Sequence, residues 1–206
     1  MAKVCIIDYG IGNIASIHNG ILSTGNDVVV SSDPKKISNS SHLILPGVGS
    51  FQKGMEGILS RGLAEILNEQ VINKKKPILG ICLGMQLFAS HSFEDGHHKG
   101  LNWINGKVEK IDKDLKNIKV PHMGWNEVKS QNKSKLLTNI EEPLIFYFVH
   151  SYHFIPNDTS IITGTCKHGK DLTACIEYKN IYAAQFHPEK SHDVGQKLLN
   201  NFFNNT

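Results

Sequence analysis

The chain has 206 residues, 40% of them apolar, with a net charge of +3; this is enough to bury a substantial core and too mildly basic to point to a nucleic-acid partner. Four cysteines, at 5, 82, 166 and 175, show neither CxxC spacing nor the density of a disulfide scaffold, which fits a reducing compartment. The apolar run Val4 to Ile7 meets Asp8 after four residues and no run approaches the ~18 of a membrane span, so a signal peptide and membrane insertion are excluded and a cytoplasmic setting is expected.

In chain order, Val4 to Ile7 reads as a buried parallel strand entering the turn Asp8-Tyr9-Gly10-Ile11-Gly12-Asn13, with a helix over about 14–23. Gly10 and Gly12 supply two glycines of a GxGxxG pattern, but Ala15 holds the third position, which leaves a plain strand-to-helix turn. A strand over Asp27 to Ser31, a polar connection over 32–41 and a strand over His42 to Leu45 follow. Pro46-Gly47-Val48-Gly49-Ser50 then opens a helix, with Ser50 as its cap and Phe51, Met55, Ile58, Leu59, Leu63, Ile66 and Leu67 on one buried face. In an open parallel sheet this loop lies at the carboxyl edge, where ligands bind. Its glycines let backbone N–H groups approach a ligand, and Val48 with Leu83 would suit an oxyanion hole.

The sharpest signal lies in Ile78-Leu79-Gly80-Ile81-Cys82-Leu83-Gly84-Met85-Gln86-Leu87, a short buried strand turning into a helix that runs to about residue 89. Glycines two residues to either side of Cys82 have the spacing of a nucleophile elbow, and the free N–H groups of the helix start favour a thiolate there. Beyond it, 91–100 is polar and reads as a solvated loop; its His97-His98 pair lacks metal-site spacing, so no metal is expected. Lysines at every third position from 107 to 119 read as an exposed face. From Gly106 onward the pattern is strands and turns, including the apolar run Leu144 to Val149, and no linker or repeat divides the chain, so one domain over 1–206 is expected.

Near the end, a strand closes at Phe186-His187-Pro188-Glu189-Lys190-Ser191. Residues two apart on an extended chain point the same way, so Glu189 can orient the His187 ring and leave its other nitrogen as a base for a thiol. A closing helix over about 192–203, capped by Ser191, carries Val194, Leu198, Leu199, Phe202 and Phe203 as its buried stripe.

Taken together, Pro46-Gly47-Val48-Gly49, Gly80-Ile81-Cys82-Leu83-Gly84-Met85-Gln86 and Phe186-His187-Pro188-Glu189-Lys190-Ser191 resemble the class I glutamine amidotransferases. Pro121-His122-Met123-Gly124-Trp125-Asn126 and Phe148-Val149-His150-Ser151-Tyr152 narrow the resemblance to the glutaminase subunits of imidazole glycerol phosphate synthase. The resemblance implies a flavodoxin-like α/β three-layer sandwich with a central, mostly parallel sheet and an added antiparallel region. It implies hydrolysis of L-glutamine by a Cys82-His187-Glu189 triad with no cofactor, with Gly47, Gly49, Gln86, His150, Ser151 and Tyr152 toward the substrate. Asn13, Trp125, Tyr147 and Lys190 would face a separate cyclase subunit that receives the ammonia. Ala15, where the family often has arginine, and the aromatic Gly100-Leu101-Asn102-Trp103-Ile104 depart from its pattern. They leave open a paralogue feeding a different synthase, such as one amidating a surface sugar; a cysteine hydrolase of γ-glutamyl compounds and a non-catalytic binding subunit are the further alternatives.

Overall fold

Alternate residues of a strand face opposite sides of its sheet, and β1 (Lys3–Ile7) sends Val4 and Ile6 into one hydrophobic cluster and Cys5 and Ile7 into another. In the computed structural model, which describes residues 1–111, 118–131 and 134–206, those clusters are the two faces of one large sheet. After β1 come α1 (Ile14–Leu22), β2 (Asp27–Ser31), α2 (Pro34–Asn39), β3 (His42–Leu45), α3 (Phe51–Ser60), α4 (Leu63–Asn68), β4 (Ile78–Ile81) and α5 (Leu83–Leu87). The chain continues through β5 (Ala89–Ser92), β6 (His98–Lys99), β7 (Ile104–Lys110), β8 (His122–Ser130), β9 (Ile145–His150) and β10 (Tyr152–Pro156). It closes with β11 (Ile162–His168), β12 (Lys170–Tyr178), β13 (Ile181–Ala184) and α6 (His192–Asn205).

The large sheet runs in the order β2-β1-β3-β4-β13-β12-β11-β8-β9. Its first five strands pair in parallel and the remaining four pairings are antiparallel. The parallel half has the doubly wound order 2-1-3-4-5, its last strand supplied from late in the chain. Helices α1 and α6 cover one face through Ile17, Ile21, Leu198, Leu199 and Phe202. The other face is covered by α2 to α5, through Ile37, Phe51, Ile58, Leu67 and Met85, together with a second sheet of order β10-β7-β5-β6. This is the expected three-layer α/β arrangement with an antiparallel extension. No helix among the described residues is long and apolar enough to cross a membrane.

Several local expectations differ. The connection over 32–41 holds α2, capped by Asp33 Oδ1, which accepts from Lys35 N at 2.8 Å, with Pro34 in the first turn. The single helix after Ser50 is two, because Gly62 at φ 64° breaks it and leaves Leu59 exposed. The helix after Cys82 stops at Leu87, and part of 91–100 pairs as β5 and β6 instead of forming a loop. Neither Ser50 nor Ser191 caps its helix through the side chain. Of the lysine series, positions 113 and 116 lie outside the described residues.

The parallel strands can carry their connecting loops so close together only where side chains are missing. A Cβ on Gly84 would stand 1.9 Å from the Leu45 carbonyl oxygen, a backbone atom that cannot swing aside. Gly84→Ala is therefore expected to cost about 3 kcal/mol, as overpacking in a rigid site does. The check is the urea midpoint; an unchanged midpoint would mean that α5 and β3 are not locked together.

Candidate active site

Loops at the carboxyl ends of β3, β4 and β13 meet in one place. At the end of β4, Cys82 holds φ 54° and ψ −109°, a conformation that side-chain-bearing residues adopt only under constraint. The constraint is visible on both sides of the residue. Cys82 N donates to Ala184 O of the neighbouring strand at 2.8 Å, and Met85 N donates to Cys82 O at 3.1 Å as the next helix begins. A Cβ on Gly80 would meet the Phe88 ring at 2.6 Å and one on Gly47 would meet Leu83 Cβ at 2.7 Å. The bracketing glycines are thus packing requirements of the turn, and Gly47 lies beneath the loop against Tyr9 and Leu83, not among the cleft-lining residues. The Tyr9 hydroxyl donates to Pro46 O and fixes the loop from below.

Beyond β13 the chain makes a single 3-10 turn over Pro188–Lys190. The turn is clamped to β9 at both ends. His187 N donates to Tyr147 O at 2.9 Å, Tyr147 N donates to Ser191 Oγ at 3.0 Å, and Ser191 Oγ donates to His187 O at 2.6 Å. Ser191, expected as a helix cap, is used for this clamp. His187 Nδ1 meets Glu189 Oε1 at 2.8 Å, with 1% and 0% of the two side chains accessible. His187 Nε2 is buried and has no hydrogen-bond partner. Burial by itself would depress the imidazole pKa, but the neighbouring Cys82 sulfur and the Glu189 carboxylate together outweigh it and raise the value to about 10.

These segments border a cleft of about 440 Å³ lined by Val48, Gly49, Cys82, Leu83, Gln86, Glu94, His150, Ser151, Tyr152 and His187, with Pro121 and Val149 at its side. All the residues expected there from the sequence line it except Gly47 and Glu189, which lie just behind. Gln86 spends both hydrogens inward, Nε2 donating to Tyr152 O at 2.9 Å and Gln185 Oε1 at 3.0 Å, so its own Oε1 is what it can offer a ligand. Glu94, from the polar segment read as solvated, was not anticipated. Its Oε2 accepts from Phe51 N at 2.7 Å, and burial raises its pKa despite that bond. It is the only acidic side chain lining the cleft among the described residues.

The remaining four expected residues lie outside the cleft. Trp125 is half exposed, stacks on His192 with an interplanar angle of 3° and meets the Tyr147 ring at 5.9 Å. Lys190 Nζ stands 5.6 Å from the centre of the same Tyr147 ring. Asn13 heads α1, where its Oδ1 accepts from Ser16 Oγ. Met123 and Ile145 add exposed apolar surface on β8 and β9 beside Trp125.

Behind the Val149–Tyr152 wall runs a chain of buried polar contacts. His150 Nδ1 donates to Tyr152 O at 2.8 Å, so the neutral ring offers Nε2 to His122 Nδ1 at 2.9 Å. His122 Nε2 in turn accepts from Asn126 Nδ2 at 3.0 Å. Burial pushes His150 down to about 3, against its bond to Tyr152 O, and His122 to about 4; nearby histidines add to both shifts. His153, buried with neither ring nitrogen bonded, is likewise lowered by burial to about 4.

With the site in view, comparison with known proteins gives a consistent result. The family profile described as "Glutamine amidotransferase class-I" matches residues 5–206. "Imidazole glycerol phosphate synthase subunit HisH 2" of Methanococcus maripaludis is 49% identical over 97% of this chain and 98% of its own. The protein named "Imidazole glycerol phosphate synthase subunit HisH" in Pelagibacter ubique is 44% identical over 98% of this chain and 99% of its own. Among solved structures, PurLQS from Thermotoga maritima aligns with a TM-score of 0.73 at 18% identity, over 100% of this chain and 99% of that one. The glutaminase domain of Trypanosoma brucei CTPS with bound acivicin aligns with a TM-score of 0.62 at 15% identity, over 98% of this chain and 92% of that one, a likeness of fold.

The buried histidines make the fold acid-sensitive. Their folded pKa values lie below the unfolded value near 6.5, so their contribution is complete above that pH and is lost as pH falls toward about 4. His187 has the opposite sign: its contribution is lost as pH rises toward about 10 and is already complete below about 6.5. Stability should therefore fall by several kcal/mol between pH 7 and pH 5, roughly 1–2 kcal/mol for each neutral histidine. Urea unfolding at the two pH values checks this, and His153→Leu should flatten the dependence.

Proposed function

Because the chain belongs to the class I glutamine amidotransferases, and within them to the imidazole glycerol phosphate synthase HisH family, we propose that it hydrolyses L-glutamine to glutamate and ammonia and delivers the ammonia to a cyclase subunit. The observation that carries this reading is the convergence of Cys82 with the His187–Glu189 pair in one cleft. Glu189 orients His187 through Nδ1, and Nε2 takes the thiol proton; the raised His187 pKa favours keeping that proton on the ring as an imidazolium beside the sulfur. The sulfur then attacks the side-chain amide carbon of glutamine, forming a C–S bond while the carbonyl electrons move to oxygen.

The resulting oxyanion falls to the backbone N–H groups of Val48 and Leu83, the latter at a helix start whose first N–H groups have no intrahelical acceptor. Collapse breaks the C–N bond, and the proton held at His187 Nε2 leaves with ammonia. Water, deprotonated by the same nitrogen, attacks the thioester, and glutamate departs as the thiol is restored. At the far end of the cleft, Glu94 would pair with the substrate ammonium, and Gly49, Gln86 Oε1 and the backbone of His150, Ser151 and Tyr152 would hold its polar groups. The Trp125–Tyr147–Lys190 patch, flanked by Met123 and Ile145, suits docking of the cyclase, with Asn13 on the adjoining helix.

A different acceptor synthase is the second reading, and Ala15, exposed at the start of α1, is the residue that favours it. Trp103 carries no weight either way, because it packs against Phe88 in the core and its Nε1 donates to Asn68 Oδ1.

Ammonia release should be measurable from the purified chain, increase on adding the cyclase with its nucleotide ligand, and fall at least ~10³-fold in Cys82→Ala. Equal release by the variant would remove Cys82 from the mechanism; activity indifferent to every cyclase tried would favour another acceptor. Glu94→Gln should raise KM for glutamine about tenfold with a smaller change in kcat, the mark of a lost charged contact made before the transition state.

A further inference from the structure

Gln185 is completely buried, two residues before His187 on the segment leaving β13. The chain bends at Gln185 and Phe186, and this bent segment brings a carboxamide as well as an imidazole to the nucleophile. Gln185 Nε2 lies 3.7 Å from Cys82 Sγ. Apart from the His187 ring, the sulfur's other hydrogen-bonding neighbour among the described residues is Val149 O at 3.9 Å, which can accept the thiol proton but can offer nothing to an anion.

A carboxamide could in principle present either end to the sulfur, so what sets its orientation matters. The answer starts from a backbone carbonyl, which cannot turn over. Tyr152 O accepts from His150 Nδ1 and from Gln86 Nε2. Gln86 must therefore face it with nitrogen, and that same nitrogen donates to Gln185 Oε1 at 3.0 Å. With its oxygen committed there, Gln185 has only N–H groups left for Cys82. Three fixed contacts dictate that the sulfur faces a donor.

We propose that Gln185 is a catalytic residue whose side-chain N–H holds the Cys82 sulfur and stabilises its thiolate. The proposal rests on the reading of Cys82 as nucleophile. When the thiol proton passes to His187 Nε2, the acceptor at the end of this bond becomes charged and the bond strengthens; in the thioester the sulfur is neutral and the bond relaxes. The contribution is thus concentrated where the sulfur is anionic, before attack and as it leaves the thioester. Gln185 needs no proton change of its own.

The test is the pH dependence of Cys82 alkylation by iodoacetamide, read on the peptide containing residue 82, which is independent of glutamine turnover and so separates this proposal from the glutaminase reading. The titratable groups around the sulfur are His187 and Tyr9, with Glu94, His150 and Tyr152 across the cleft. Gln185→Met, similar in length but without the donor, should move the alkylation midpoint up by about one pH unit and leave the high-pH plateau rate unchanged or slightly higher. A purely structural role would lower the plateau without moving the midpoint. In turnover the same variant should lose about tenfold in kcat with KM within about twofold. Gln185→Glu, which keeps the acceptor for Gln86 but faces the sulfur with an anion, should move the midpoint further. In the unsubstituted protein the Gln185 side-chain amide resonance should titrate with the Cys82 midpoint and cease to do so in Cys82→Ala. A folded variant with the original midpoint, or an amide resonance blind to Cys82, would overturn the proposal.

Discussion

Cys82 sits in a backbone conformation that it would not choose alone, and the surrounding architecture exists to keep it there. The residue is fixed by a strand hydrogen bond to Ala184 on one side and by the first turn of α5 on the other. That turn can lie so close to β3 only because Gly84 has no side chain to meet Leu45 O. Backbone strain of order 1–3 kcal/mol is held at a turn of this kind. It is offset by apolar packing on both faces of the sheet, where β4 contributes Leu79 and Ile81 to one cluster and Ile78 to the other. The result is a largely buried sulfur that still lines the cleft at the carboxyl ends of the strands.

Everything that touches the sulfur arrives by a similarly local device. Parallel pairing of β13 with β4 places Ala184 opposite Ile81, so the residues just beyond β13 must pass the elbow. Three hydrogen bonds among Tyr147, His187 and Ser191 then bind that passage to β9. The same β9 pairs with β8, which exposes Met123 and Trp125 on one side and turns His122 inward. One strand pair therefore carries both the exposed apolar patch and the buried histidines behind the cleft wall. Those histidines stay neutral because burial outweighs any gain from charging them, and each ring satisfies a neighbour in one direction only.

Much of this was legible in the sequence where the signal is local. The apolar runs of the parallel strands and the glycines around Cys82 each encode a nearby geometry; the pairing of His187 with Glu189 was also read correctly, but a 3-10 turn makes it and not the extended chain assumed from the sequence. What escaped depends on distant residues. Glu94 lies in a stretch whose polarity reads as solvent exposure, and only pairing of β5 with β6 and the approach of α3 turn it into a wall of the cleft. Gln185 sits in an otherwise apolar run, and its meaning depends on Gln86 and Tyr152, 99 residues and about 33 away in sequence. Helix α2 was hidden by a proline that reads as a breaker but occupies a first-turn position, where its missing N–H has no cost. The break at Gly62 was hidden by an apolar period that continues straight through it.

The most direct test of the central claim is to map where a glutamine analogue with an electrophilic carbon in place of the side-chain amide attaches. The account predicts one covalent adduct, on Cys82, formed more slowly when glutamine is present. An adduct on any other residue, or one at Cys82 that glutamine does not protect against, would contradict it.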